Sequence, residues 1–149
     1  MNRIKGFTLI ELLVAISIIG LLSSIVLASL NVAKAKGRDA KRISDIRQIR
    51  TAIELYKADS GYYPTSLASL VPTYIKSLAQ DASAAGSCRP NYCYAYSPLL
   101  SLQPTSYHIG AQMENLASGV LSSDSDFNSS ASYTGGFDGT GSTIYDVRN

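Results

Sequence analysis

Glu11 is the residue whose surroundings most demand chemistry, because it is the only formal charge in residues 7–33, 27 positions of which 19 are apolar. A carboxylate among hydrocarbon side chains costs several kcal/mol unless it is protonated, reaches water or meets a cation, so an ionisable group there marks function. Other reactive side chains are sparse. Cys88 and Cys93 are the only cysteines and His108 the only histidine, too few ligands for a four-coordinate zinc site. Outside the cytoplasm the two cysteines would close a small disulfide loop; in the cytosol they would be buried thiols. Asp124, Asp126 and Asn128 alternate like the opening of a calcium loop, but that pattern next requires glycine where Ser129 stands and glutamate where Gly135 stands. A solvated loop is the simpler reading of these acids. His108 has no evident nucleophile partner in the sequence, no glycine-rich phosphate loop is present, and no catalytic constellation is expected.

The elements that must position Glu11 follow from the apolar run. As a helix, residues 7–33 would extend about 40 Å, enough to cross a hydrocarbon core of about 30 Å. Arg3 and Lys5 before the run and Ala33, Lys34 and Ala35 after it imitate a secretory signal, but the apolar stretch is well beyond the usual length of such a region. No proline occurs between Met1 and Pro64. Beyond the run, Ile43, Ile46, Ile49, Ile53 and Tyr56 recur at spacings of 3, 3, 4 and 3, the stripe of an amphipathic helix. One long helix over 7–60 is predicted, apolar all round in its first half and one-sided over 34–60, with Asp59, Ser60 and Gly61 as its stop. Gly20, Ser24 and Ala28 fall four apart, a spacing that lets helix backbones approach closely.

Charge is unevenly distributed. Residues 34–50 hold seven basic side chains against Asp39 and Asp45, whereas residues 77–147 hold six acids against Arg89 alone. The basic stretch suits lipid headgroups or acidic head surfaces better than nucleic acid, and no nucleic-acid partner is predicted. Residues 61–149 contain too little apolar material for an independent core and should fold onto the isoleucine stripe. A short helix around residues 66–70 and strands at 92–96, 107–113 and 143–147 predict a small antiparallel sheet on the helix, an α+β head. In the middle strand Tyr107, Ile109, Ala111 and Met113 would face one way, and His108, Gly110, Gln112 and Glu114 the other. Residues 118–143, of which 16 of 26 are Ser, Thr or Gly, read as a surface loop or partly disordered segment. The ten tyrosines suit core and sheet packing, with adhesion as the other use.

The string from Lys5 through Gly6, Phe7 and Thr8 to Glu11 and Val14 resembles the prepilin signature of type IV pilins and pseudopilins: a short basic leader ending in glycine, an aromatic residue, and glutamate four positions on at the head of an apolar run. Tyr56 to Pro64, with Gly61 and the Tyr63-Pro64 pair, is similar to the turn that ends the pilin helix. The resemblance implies a leader over 1–6, cleavage by a prepilin peptidase between Gly6 and Phe7, methylation of Phe7, and Glu11 as the acid that sets subunit register. It implies a type IV pilin-like fold, membrane storage with the head outside, and polymerisation into a filament of copies of this chain. Partners would be the lipid bilayer, a membrane platform protein and a motor ATPase. An exterior head agrees with a disulfide between Cys88 and Cys93. Pseudopilins bind calcium in C-terminal loops, which makes Asp124 and Asp126 calcium candidates; no other cofactor is implied.

Two features depart from the resemblance. Many pilins carry a proline in the apolar helix, whereas here only Gly20 offers a weak point. The positive-inside count, Arg3 and Lys5 against five basic residues at 34–42, also favours the opposite orientation. Three functions are therefore weighed: a pilus-like filament subunit, a pseudopilin of a secretion or DNA-uptake system, and a surface binding module on an uncleaved anchor. None is an enzyme.

Overall fold

A computed structural model of the protein describes residues 7–81, 92–114, 124–140 and 143–149, and for Ala28 the backbone alone. The chain divides into two compact units, 1–35 and 36–149. Helix α1 (Leu9–Ser60) begins in the first and ends in the second. Its start and stop have local causes. Thr8 supplies the cap described below, and Gly61 at φ +83° adopts the left-handed conformation that closes a helix. The Gly61 N–H donates to the Lys57 carbonyl at 2.8 Å.

In the first unit the large apolar side chains of α1 are exposed, and the most apolar 18-residue window of the helix has none of its residues buried. The helix is long and apolar enough to cross a membrane. Its serine hydroxyls are satisfied within the helix: Ser17, Ser23 and Ser29 donate to Leu13, Ile19 and Ile25 carbonyls at 2.8, 2.7 and 3.2 Å, and Ser24 to Leu21 at 2.8 Å. A hydroxyl bonded in this way brings no unsatisfied donor into hydrocarbon. Gly20 and Ser24 are exposed on this helix, and the side chain of Ala28 lies outside the described residues.

The second unit is an α+β head. A 3-10 turn, Leu67–Leu70, follows α1, with Ser66 as its cap. Strands β1 (Cys93–Ser97), β2 (Ser106–Gln112) and β3 (Ile144–Arg148) form one antiparallel sheet in the order β1-β2-β3. The register pairs Tyr94 with Ile109 and Ala111 with Tyr145. The isoleucine stripe is the floor of the core: Ile46, Ile49 and Ile53 pack with Tyr63, Leu67, Leu70, Tyr107, Ile109 and Tyr145. Tyrosines fill this core, and several keep their hydroxyls bonded. Tyr107 donates to Glu54 at 3.1 Å, Tyr92 to Asp45 at 2.7 Å and Tyr94 to the Pro64 carbonyl at 2.6 Å. Burial pushes the phenols of Tyr92, Tyr94 and Tyr107 above their ordinary range.

Strand β2 differs from a simple one-sided alternation, because Tyr107 through Ala111 are all buried. One set of side chains joins the core on α1. The other is covered by described residues of the connection between β2 and β3: the Phe137 ring stacks on His108 with centroids 3.9 Å apart. A Cβ at Gly110 would lie 2.8 Å from that ring, which explains the glycine. The polar composition of residues 118–143 thus conceals a packed segment, with Ser129 and Phe137 buried.

Candidate functional site

At the head of α1, Thr8 and Glu11 form a reciprocal cap. The Thr8 backbone N–H and its hydroxyl donate to Glu11 Oε2 at 2.9 and 2.7 Å, and the Glu11 N–H donates to Thr8 Oγ1 at 3.3 Å. This is a capping box, in which Thr-x-x-Glu satisfies helix-start donors from both sides; a carboxylate there also complements the positive end of the helix dipole. Phe7 stands before the first helical residue and is 80% exposed. Gly6 lies outside the described residues. The arrangement presents, in sequence, an exposed non-helical aromatic residue, a capped helix start and an anion, followed by exposed hydrocarbon.

A second constellation lies in the head. Arg42, 2% exposed, donates to Asp39 Oδ1 at 2.5 Å, to Glu114 Oε1 at 2.6 Å, and to Asp81. Arg38 forks onto Glu114 through Nε at 2.9 and 3.1 Å. Asp39 Oδ1 also accepts the Glu114 backbone N–H at 3.0 Å. These hydrogen bonds raise the Arg42 guanidinium further above its usual range in spite of burial. Arg38, aided by Arg42, holds the Glu114 carboxyl at about 2. Part of the basic stretch is thereby neutralised by the chain's own head. The spacing held a signal: Asp39, Arg42, Ile46, Ile49 and Ile53 continue one 3,4 stripe, which places two charged residues on a buried face.

A third constellation joins His108, Ser129 and Asp146, all buried. His108 Nε2 lies 2.6 Å from Asp146 Oδ2, and Nδ1 lies 2.7 Å from Ser129 Oγ. The expectation that His108 lacks a nucleophile-type partner is corrected here. The cause is tertiary: β3 and the connection before it bring in residues 21 and 38 positions away. The serine is already engaged, accepting the Phe137 N–H and bonded to the Phe137 carbonyl, both at 3.0 Å. Asp146 accepts the Asp126 and Phe127 N–H groups at 3.1 and 3.2 Å. The network ties the connection to the sheet.

Of the calcium candidates, Asp124 has a buried Oδ1 without a hydrogen-bond partner, and its carboxyl is raised by burial and by Asp126 and Asp146. A calcium ion needs six to eight oxygens. Among the described residues no three His, Cys, Asp or Glu side chains gather as a metal set, and the Asp146 oxygens also accept backbone N–H groups. Cys93 is disulfide-bonded; Cys88 lies outside the described residues.

Comparison with known proteins bears on the first constellation. Residues 1–27 match the family model described as the prokaryotic N-terminal methylation motif. The chain is 44% identical over 65 residues to the type II secretion system core protein G of Escherichia coli (strain K12), covering 44% of this chain and 45% of that protein. To the type II secretion system core protein G of Aeromonas hydrophila it is 39% identical over 97 residues, 54% of this chain and 68% of that protein. To the type IV wide pilus major component PilA4 of Thermus thermophilus it is 30% identical over 95 residues, 62% of this chain and 72% of that protein. The alignment thus spans under half the length of the E. coli relative. No solved structure matches the chain.

Proposed function

The chain belongs to the type IV pilin superfamily, and from that premise we propose that it is a filament subunit, held in the membrane by α1, cleaved between Gly6 and Phe7, and polymerised through residues 7–33. The observation that carries this reading is the Thr8–Glu11 box at the head of an exposed helix of membrane-spanning length. Phe7 lies outside the helix, so a peptidase acting before it need not unwind helical turns. Cleavage creates an amine at Phe7, and methylation preserves its charge. Both Thr8 donors fall on Glu11 Oε2, so Oε1 receives the amine of a neighbouring copy with the box intact. A subunit out of register leaves both charges unpaired, at about 3–5 kcal/mol for a buried pair that has lost one member. The pair therefore fixes stagger more than it adds cohesion. Gly20 and Ser24, with Ala28, offer the close approach between parallel helices.

A pseudopilin role is the second reading, favoured by the type II secretion names of the Escherichia and Aeromonas relatives. Either role calls on a prepilin peptidase, a platform protein and a motor ATPase, and places the head outside the cytoplasmic membrane, where the Cys93 disulfide persists. The mass of the mature N-terminus tests the proposal: a chain beginning at methylated Phe7 is expected, and an intact Met1 would instead indicate an uncleaved anchor. Electron microscopy of sheared surface material separates a long pilus from a short pseudopilus.

A further inference from the structure

Strands β1 and β3 are the two edges of the sheet, and an edge strand offers unpaired backbone groups to any strand that meets it. Residues 125–139 engage both edges. Tyr96 of β1 donates its N–H to the Thr134 carbonyl at 3.1 Å and accepts the Thr134 N–H at 2.9 Å. On β3 the Asp146 carbonyl accepts the Ser125 N–H at 3.1 Å, and the Asp146 carboxylate accepts the Asp126 and Phe127 N–H groups at 3.1 and 3.2 Å. Between these ends the segment lies over β2. There the Phe137 and Phe127 rings pack on His108 with centroids 3.9 and 5.2 Å away, and Ser129 bonds to His108 Nδ1. The segment is thus fastened to all three strands.

Joining β2 to β3 does not require this route. The two strands are antiparallel neighbours, and about two to five residues suffice to connect such a pair. Here the connection instead reaches Tyr96 on the opposite edge, and it does so in close contact. A Cβ at Gly139 would fall 2.6 Å from Asp146 Oδ2, and one at Gly136 closer still to the Ser129 carbonyl oxygen. We propose that residues 125–139 are a strap that shields both sheet edges and so keeps the head of one copy from adding a strand to the head of another. A polymer holds neighbouring heads at a high effective concentration, the condition under which an open edge finds a partner. That crowding rests on the filament-subunit reading. The strap itself belongs to the single head and is measured on the unassembled chain, so either can fail alone.

The test uses the full chain in detergent, with sedimentation velocity for size and amide hydrogen exchange for the state of the strap. Gly136→Val forces the strap away from Ser129, and separately Thr134→Pro removes the N–H that bonds to Tyr96. In each, exchange is expected to rise in residues 125–139 while residues 43–56 stay protected. Self-association is expected to tighten about tenfold or more relative to the unsubstituted chain, the equivalent of two ladder hydrogen bonds. Tyr96→Pro added to Thr134→Pro withdraws the outward N–H of β1 without touching its ladder to β2, and is expected to reverse that association. A strap that opens with association unchanged overturns the proposal, and so does association that Tyr96→Pro leaves undiminished. Unchanged exchange in 125–139 overturns it as well, because these contacts then do not hold the strap. Loss of protection at 43–56 in both variants also overturns it, since the segment would then be part of the core and not a cover.

Discussion

In the first unit, Glu11 turns back on Thr8 and the serines donate to carbonyls three or four positions earlier. In the second, Asp39, Arg42 and Asp45 on the same helix reach Glu114, Asp81 and Tyr92, between 39 and 75 positions away. The first region settles its polar groups locally and leaves its hydrocarbon exposed; the second buries its hydrocarbon and settles its charges across the fold. A segment whose hydroxyls bond within its own helix can pass from lipid to a bundle of like helices without breaking those bonds. A segment of the second kind is committed to one head. On the filament-subunit proposal, storage and assembly fall to residues 7–33, and the shape of the displayed surface to the remainder.

The comparison breaks most sharply at Arg42. Replacing it by alanine removes the cation bonded by buried Asp39 and half-buried Asp81 and is expected to destabilise the head by about 3–5 kcal/mol, read as a lowered unfolding temperature of the full chain in detergent, with insertion of the precursor unchanged. Asp146→Ala strips the partner from His108 and from two backbone N–H groups. It is expected to cost about 2–4 kcal/mol and to raise hydrogen exchange in residues 125–139 before the rest of the head. Gly61→Ala places a side chain at φ +83° and is expected to cost about 1 kcal/mol, with a smaller shift in the same melt.

Acid should act on the head through Glu114. The folded Glu114 carboxyl sits at about 2 against an ordinary 4.5, so its folded value is depressed. The stability it contributes is present above about 4.5 and is lost as pH falls from there towards 2. Melting temperature against pH should therefore decline over that interval, and Glu114→Gln should flatten part of the decline.

The first unit was largely legible in the sequence, because its determinants are local. The Glu11 anomaly, the apolar length and the Thr-x-x-Glu spacing all lie within one or a few turns, although the cap itself becomes evident only when Thr8 is read together with Glu11. The isoleucine stripe likewise located the core, and Gly61 its end. The head was less legible where pairing is remote. No spacing links His108 to Ser129 and Asp146. Composition suggested solvent for residues 118–143, while Phe127 and Phe137 in that polar background were the signal that part of it packs. Arg42 was grouped with a basic stretch suited to lipid headgroups or acidic head surfaces; it meets the second, on Asp81 and Glu114, and its burial follows from its position on the stripe.

The central claim, that Glu11 sets the stagger of copies, is tested most directly by a high-resolution map of the assembled filament. The account predicts the nitrogen of Phe7 from one copy beside Glu11 Oε1 of another, with the Thr8 bonds to Oε2 retained. A map in which Oε1 is hydrated and distant from every Phe7 nitrogen would contradict it.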